Sequence, residues 1–132
     1  MEKRMNRQEL IELIGTLEID KEEFWVLSSG ALVLRGIFPD AGDLDIAVTS
    51  KGLEQLKNQF DLKQKDNGFY TVCDKIECVE DTKESWKYER VGDYNVQDIN
   101  VYLDFLKHSN REKDKARIGL VEDYIKNRKN NT

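Results

Sequence analysis

Apolar residues recur along this chain with two periods, one of three to four residues and one of two, and the alternation between them predicts short helices and strands in turn. Leu10, Leu13, Ile14 and Leu17 fall at helical spacing behind Asn6 and Glu9, a pair that predicts a capping box, with Gly15 costing some helix propensity. After a turn at Ile19, Asp20 and Lys21, the run Phe24 to Leu27 predicts a short buried strand that stops at Ser28, Ser29 and Gly30. Ala31 to Leu34 predict a buried helical turn or two, closed by Gly36 and then Pro39. Asp43-Leu44-Asp45-Ile46-Ala47-Val48 then alternates with the period of a strand, which sets both aspartates on one face and Leu44 and Ile46 on the other. Ser50 is in position to cap a helix whose Leu53, Leu56 and Phe60 line one side and cover the sheet.

Further along, Asn67-Gly68 marks a turn, and Phe69 to Cys73 and Ile76 to Glu80 alternate as two strands of a hairpin. With Asp74-Lys75 as its turn, Cys73 lies opposite Ile76 and Cys78 opposite Thr71. Trp86, Tyr88 and Val91 predict a further strand ended by Gly92-Asp93, in which packing is a better use of the rings than stacking on a base. Gln97 to Lys107 read as a helix with Ile99, Tyr102, Leu103 and Leu106 inward, and His108 after it reads as a solvated residue near a helix end. A last helix carries Ile118, Val121 and Ile125 at core spacing, and the polar stretch Lys126 to Thr132 is expected to fray. The fold class expected is α/β (α+β), a small mixed sheet with packed helices, forming a single domain over residues 1–132 with C-terminal helices 97–128 packed on it.

Composition narrows the picture. A chain of 132 residues supports one core, and 36% charged against 39% apolar residues is the balance of a small globular protein rather than a disordered one. The net charge of −5 argues against broad nucleic-acid affinity, which draws on a basic face to displace counterions. No apolar run reaches the length of a membrane span, and Met1-Glu2-Lys3-Arg4 does not open a signal peptide, so no membrane partner and a cytoplasmic location are expected. Cys73 and Cys78 lack the spacing of a metal or redox pair and read as small buried hydrophobes.

The dense chemistry lies between Phe24 and Thr49. Two carboxylates on one strand face repel, and beside a loop the size of a phosphate their simplest use is to hold a divalent cation between them. Ser28-Ser29, the helix start Gly30-Ala31-Leu32 and the later Asp43-x-Asp45 come in an order that resembles the nucleotidyltransferase superfamily, which includes polymerase-beta-type enzymes, minimal nucleotidyltransferases and antibiotic nucleotidyltransferases. In that superfamily a strand ends in Gly-Gly or Gly-Ser at a helix start, and a second strand carries Asp-x-Asp or Asp-x-Glu. Here Ser28 stands where the first glycine is expected.

The resemblance implies a nucleoside triphosphate as ligand with Mg2+ (or Mn2+), and transfer of a nucleoside monophosphate to an acceptor hydroxyl on a small molecule, protein or RNA. It implies two ions about 3.5 to 4 Å apart on Asp43 and Asp45, with Ser28, Ser29 and Gly30 at the outer phosphates. It also implies a third carboxylate on a later strand, a further metal ligand that holds the ion on the acceptor side and accepts the acceptor's proton. Glu77 fits by pattern, because Ile76-Glu77-Cys78 repeats Leu44-Asp45-Ile46, while Asp74 and Glu80 compete and Asp74 suits the turn. The run Arg111-Glu112-Lys113-Asp114 resembles a closing Arg-x-Lys-Asp signature of such proteins, with Arg117 where an acid is frequent, and this implies that Lys113 and Arg111 reach the triphosphate; an exposed charged helix is the plain alternative. The same fold without transfer, a nucleotide-binding or regulatory protein of toxin and antitoxin type, is the rival expectation. Oligomerisation is left open.

Overall fold

The computed structural model describes residues 4–84, 87–109 and 111–130. Trp86, assigned above to a strand, lies outside them. The chain divides into two compact units, Met1–Gln97 and Asp98–Thr132. Among the described residues the first unit contains strands β1 (Met5–Asn6), β2 (Phe24–Val26), β3 (Asp40–Ala41), β4 (Leu44–Val48), β5 (Lys63–Gln64), β6 (Tyr70–Cys73), β7 (Ile76–Glu80), β8 (Tyr88–Val91) and β9 (Tyr94–Gln97), and helices α1 (Arg7–Gly15), α2 (Ser28–Leu34) and α3 (Ser50–Lys57). The second unit contains α4 (Ile99–His108) and α5 (Glu112–Asn130). This is a mixed α/β structure, and none of its described helices is long and apolar enough to cross a membrane.

Seven strands form one sheet in the order β5-β6-β7-β4-β2-β9-β8, while β1 and β3 form a separate two-stranded ladder. β4 runs parallel to β7 and β2 parallel to β9, and the other neighbours are antiparallel. The alternation read in β4 decides which face is buried: Leu44, Ile46 and Val48 join Phe24, Val26, Ile76, Cys78 and Val96 in the main core, with Leu10, Ile14, Ala31, Leu53 and Leu56 from the helices. A smaller cluster on the opposite face holds Trp25, Leu27 and Ala47, with the Tyr88 ring stacked on Trp25 at 5.4 Å.

Local chemistry sets the helix ends. The capping box on α1 is present, with Asn6 Oδ1 accepting from the Glu9 N–H and Glu9 Oε1 accepting from the Asn6 N–H. α2 ends in a Schellman motif, in which Gly36 at φ +80° lets its own N–H reach Val33 and the Ile37 N–H reach Leu32. The cap of α3 is Thr49, not Ser50: Thr49 Oγ1 accepts from the Gly52 N–H, and Ser50 is the first helical residue, its hydroxyl donating to Glu80 instead. Three other expectations are corrected. Residues Tyr94 to Gln97 form β9, an extra strand parallel to β2, so α4 starts at Ile99 behind an Asp98 cap rather than at Gln97. An irregularity between Thr71 and Cys73 moves the hairpin register by one, so Cys78 faces Tyr70 while Cys73 faces Ile76 as expected. The tail beyond Tyr124 continues as helix to Asn130, carried by straight-chain residues of good helix propensity.

In the second unit Ile99, Tyr102, Leu106 and Val121 are buried, and Leu103 half-buried. The buried Asp114 carboxylate accepts from Ser109 Oγ and Arg111 Nε, both at 2.6 Å, and Arg117 donates to the Tyr102 hydroxyl at 3.1 Å.

Gly52 is a residue the packing requires. A Cβ there would lie 2.5 Å from the Glu23 carbonyl oxygen, which is backbone and has no rotamer to yield. Gly52→Ala is therefore expected to destabilise the first unit by about 1 to 3 kcal/mol, the range for overpacking. Urea titration reads this directly, and an unchanged midpoint would mean that α3 does not sit against that carbonyl.

Candidate functional site

The sheet draws together four of the residues singled out by sequence. β2 and β4 pair with Val26 opposite Ile46, and the next rung is a hydrogen bond from the Leu27 N–H to the Asp45 carbonyl at 2.9 Å. The turn beginning at Ser28 therefore leaves the sheet beside Asp45. On the other side of β4, Asp45 is the register partner of Glu77 in the parallel ladder, so both side chains emerge on the face opposite the main core, next to each other. Asp43 precedes β4, is exposed, and lies near enough for its charge to act on Asp45. Among the three acids considered for the later strand, Glu77 has this placement. Asp74 lies in the turn, and Glu80 lies at the end of β7 and accepts from Ser50.

Electrostatics follow from this crowding. Burial pushes the Asp45 carboxyl up to about 6, Asp43 and then Glu77 add to the rise, and Lys65 opposes it. Lys65 is the site residue that the sequence did not disclose. Its Nζ lies 2.7 Å from Glu77 Oε2, and that hydrogen bond holds the ammonium above the usual lysine range. The signal available was the spacing Lys63-x-Lys65 ahead of Asn67-Gly68, which marks an edge strand with two lysines on one side.

The Ser28-Ser29-Gly30 turn has an unusual backbone. Ser28 is the only described non-glycine residue with positive φ, at 54°, so the conformation that glycine favours is kept without the glycine. Gln97 holds it there: its side-chain Oε1 accepts from the Ser28 N–H at 3.1 Å, while its own carbonyl accepts from Arg35 Nη2 at 2.8 Å. Arg35 is fully buried in its side chain and pairs with Glu89 of β8. Gln97 was expected in a helix, and its place at the end of β9 is what brings it to this turn. No side chain caps α2, which begins here and is seven residues long. Gly30 packs closely, since a Cβ on it would come within 2.9 Å of Val26 Cγ1.

Arg111 and Lys113 belong to the second unit. Arg111 spends its Nε on Asp114 and lies 5.9 Å from the centre of the Phe105 ring, while Lys113 is exposed at the start of α5. His108 is exposed at the C-terminal end of α4 with Nδ1 2.8 Å from the Asp104 carbonyl oxygen, the solvated position expected of it. Cys78 is buried and Cys73 half-buried, both as free thiols.

The donor set at the acidic end of the sheet is oxygen only, which suits a hard divalent ion such as Mg2+ or Mn2+. Among the described residues no three His, Cys, Asp or Glu side chains converge on a point that would hold a metal ion. No protein-family model, no curated protein and no solved structure matches this chain.

The raised carboxyl has a testable consequence. The folded state holds the Asp45 proton more tightly than the unfolded chain does, so the ionised group costs stability above about pH 6, and the cost is withdrawn as pH falls towards the ordinary aspartate value of 3.8. Asp45→Asn is expected to stabilise the protein in chelator at pH 8 by about 0.5 to 1.5 kcal/mol, once solvent screening at this half-buried group is allowed for. The advantage should vanish below about pH 4, where the parent is protonated too. Denaturant titrations at the two pH values decide the matter; a mutant less stable at pH 8 would mean that Asp45 serves as a structural acceptor.

Proposed function

We propose that this chain is a nucleotidyltransferase-like protein of the cytoplasm that binds a nucleoside triphosphate with Mg2+ (or Mn2+) and passes a nucleoside monophosphate to an acceptor hydroxyl. The observation that carries the reading is the acidic step across β4 and β7. Asp45 and Glu77 are in register on adjacent strands, Asp43 stands beside them, and the Ser28 turn leaves the neighbouring strand at the same point. A structural role accounts poorly for a half-buried carboxylate among acids, because like charge that Lys65 only partly offsets raises the energy of the fold without returning a packing gain.

In this reading Asp43 and Asp45 would hold the ion. When bound, the ion supplies positive charge against the phosphate oxygens. The chain's own residues do the rest. The Ser28 and Ser29 hydroxyls orient the outer phosphates, and the backbone N–H groups of Ser29 and Gly30, which follow the left-handed Ser28, are the main-chain donors offered to them, since the Ser28 N–H is taken by Gln97. Glu77 faces the acceptor side, where its free carboxylate oxygen takes up the hydroxyl proton as the acceptor attacks.

A second reading is favoured by one observation. The ion pair between Lys65 and Glu77 engages the very acid that transfer would employ, which suits a protein that binds the nucleotide and does not transfer it. Acceptor hydroxyls on a small molecule, a protein or RNA all fit the first reading.

Binding to the folded state raises the melting temperature by mass action. Millimolar ATP, GTP, CTP and UTP, each with magnesium, are expected to include at least one that raises the midpoint by several degrees, with the matching monophosphate and the triphosphate in chelator doing less. Flat melting curves across the whole panel would remove the nucleotide from the account. A shift with no release of pyrophosphate over a panel of acceptors would select the binding protein over the enzyme.

A further inference from the structure

The acidic end of the sheet already contains a cation of the chain's own. Lys63 in β5 pairs with Thr71 in β6, and Thr71 pairs with Glu77 in β7. Lys65 follows β5 directly, at the start of the turn, and its side chain reaches the face that carries Glu77 and Asp45. Lys65 Nζ meets Glu77 Oε2 at 2.7 Å. Its backbone is fixed at both ends of the turn: the Lys65 N–H donates to the Phe69 carbonyl at 2.7 Å, and the Lys65 carbonyl accepts from the Gly68 N–H at 3.1 Å. The side chain thus springs from a hydrogen-bonded hairpin on a short stem, and the ammonium stays near Glu77 at the high effective concentration that a tether confers.

An ammonium and a divalent ion need the same carboxylate oxygens. We propose that Lys65 is a built-in counter-ion that stands in for a second divalent ion at Glu77, so that the chain takes a single divalent ion, on Asp43 and Asp45, and Lys65 supplies the remaining positive charge. The inference rests on the metal reading of Asp43 and Asp45 given above. It departs from the pair of ions that the sequence resemblance implies, because the third acid is spent on a lysine. It also sets Lys65 apart from an ordinary surface ion pair, which contributes little and has no effect on how many ions bind elsewhere.

The probe is Mn2+ alone, titrated into the whole chain, with free ion read by its electron paramagnetic resonance signal so that bound ions per chain are counted. The parent is expected to bind one. Lys65→Met, of similar length and without charge, is expected to bind two, the second being lost again when Glu77→Gln is added; Lys65→Arg, which keeps the charge, should bind one. Because the Lys65 side chain is 45% exposed, the Met variant is expected to fold. Its melting point in chelator should fall below the parent's, since Glu77 and Asp45 then face each other uncompensated, and excess Mn2+ should reverse that order. A parent that binds two ions, or a Lys65→Met variant that binds one with unchanged affinity, overturns the counter-ion while leaving the Asp43 and Asp45 site standing. No bound ion in any variant removes the metal reading itself, and the counter-ion with it.

Discussion

The parallel ladder between β4 and β7 is the constraint on which the rest of the first unit depends. It pairs Leu44 with Ile76, Asp45 with Glu77 and Ile46 with Cys78, so apolar and acidic rungs alternate across two strands at once. A slip of one residue would drive both acids into the main core and expose Leu44 and Ile46, so the register is strongly specified by burial. The same ladder makes the site costly, because the rung that completes the core pattern also sets two carboxylates side by side. Helices α1, α2 and α3 contribute to the apolar side, and the acids emerge on the other.

The neighbouring strands convert that rung into a pocket of chemistry. β2 lies antiparallel to β4 and delivers the Ser28 turn to Asp45, while β9 lies parallel to β2 and delivers Gln97 to Ser28. Arg35, fully buried between the Gln97 carbonyl and Glu89, ties α2 to the β8 and β9 hairpin. Holding a serine in left-handed backbone costs about 1 to 2 kcal/mol, and a side-chain hydrogen bond of about 1 kcal/mol offsets part of that. On the far side, the β5 and β6 hairpin brings Lys65 to Glu77. Strands distant in sequence thus meet at one end of one sheet.

The elements nearest this site were the most legible in the sequence, for reasons that lie in local chemistry. Asn6 with Glu9 read correctly as a capping box because both partners fall within one turn. The β4 alternation read correctly because acidic and apolar residues alternate strictly from Asp43 to Ile46. Gly36 read correctly as a helix stop because a single residue in left-handed backbone suffices. What failed depends on partners far along the chain. β9 was not read as a strand, and its last residue Gln97 was taken for the start of a helix, because Tyr94 to Gln97 is short and mixed in polarity and its pairing with β2 cannot be seen locally. Thr49 and Ser50 are equally good caps by type, and only the approach of Glu23 to Thr49 separates them. The Cys78 register missed because a bulge leaves no mark in the residues themselves. At the candidate site, the shared face of Asp45 and Glu77 was legible from pattern, whereas the approach of Lys65 and Gln97 was not: one lies 12 residues from its acid and the other 69 from its serine.

The central claim is that Asp45 is held ionisable among acids, their charge only partly opposed by Lys65, until a divalent cation arrives. Titration of its side-chain carboxyl carbon by nuclear magnetic resonance tests this most directly, first in chelator and then in excess magnesium. The account predicts a midpoint near 6 in chelator and a clear fall with magnesium. A midpoint at the ordinary aspartate value of about 3.9, unmoved by magnesium, would contradict it.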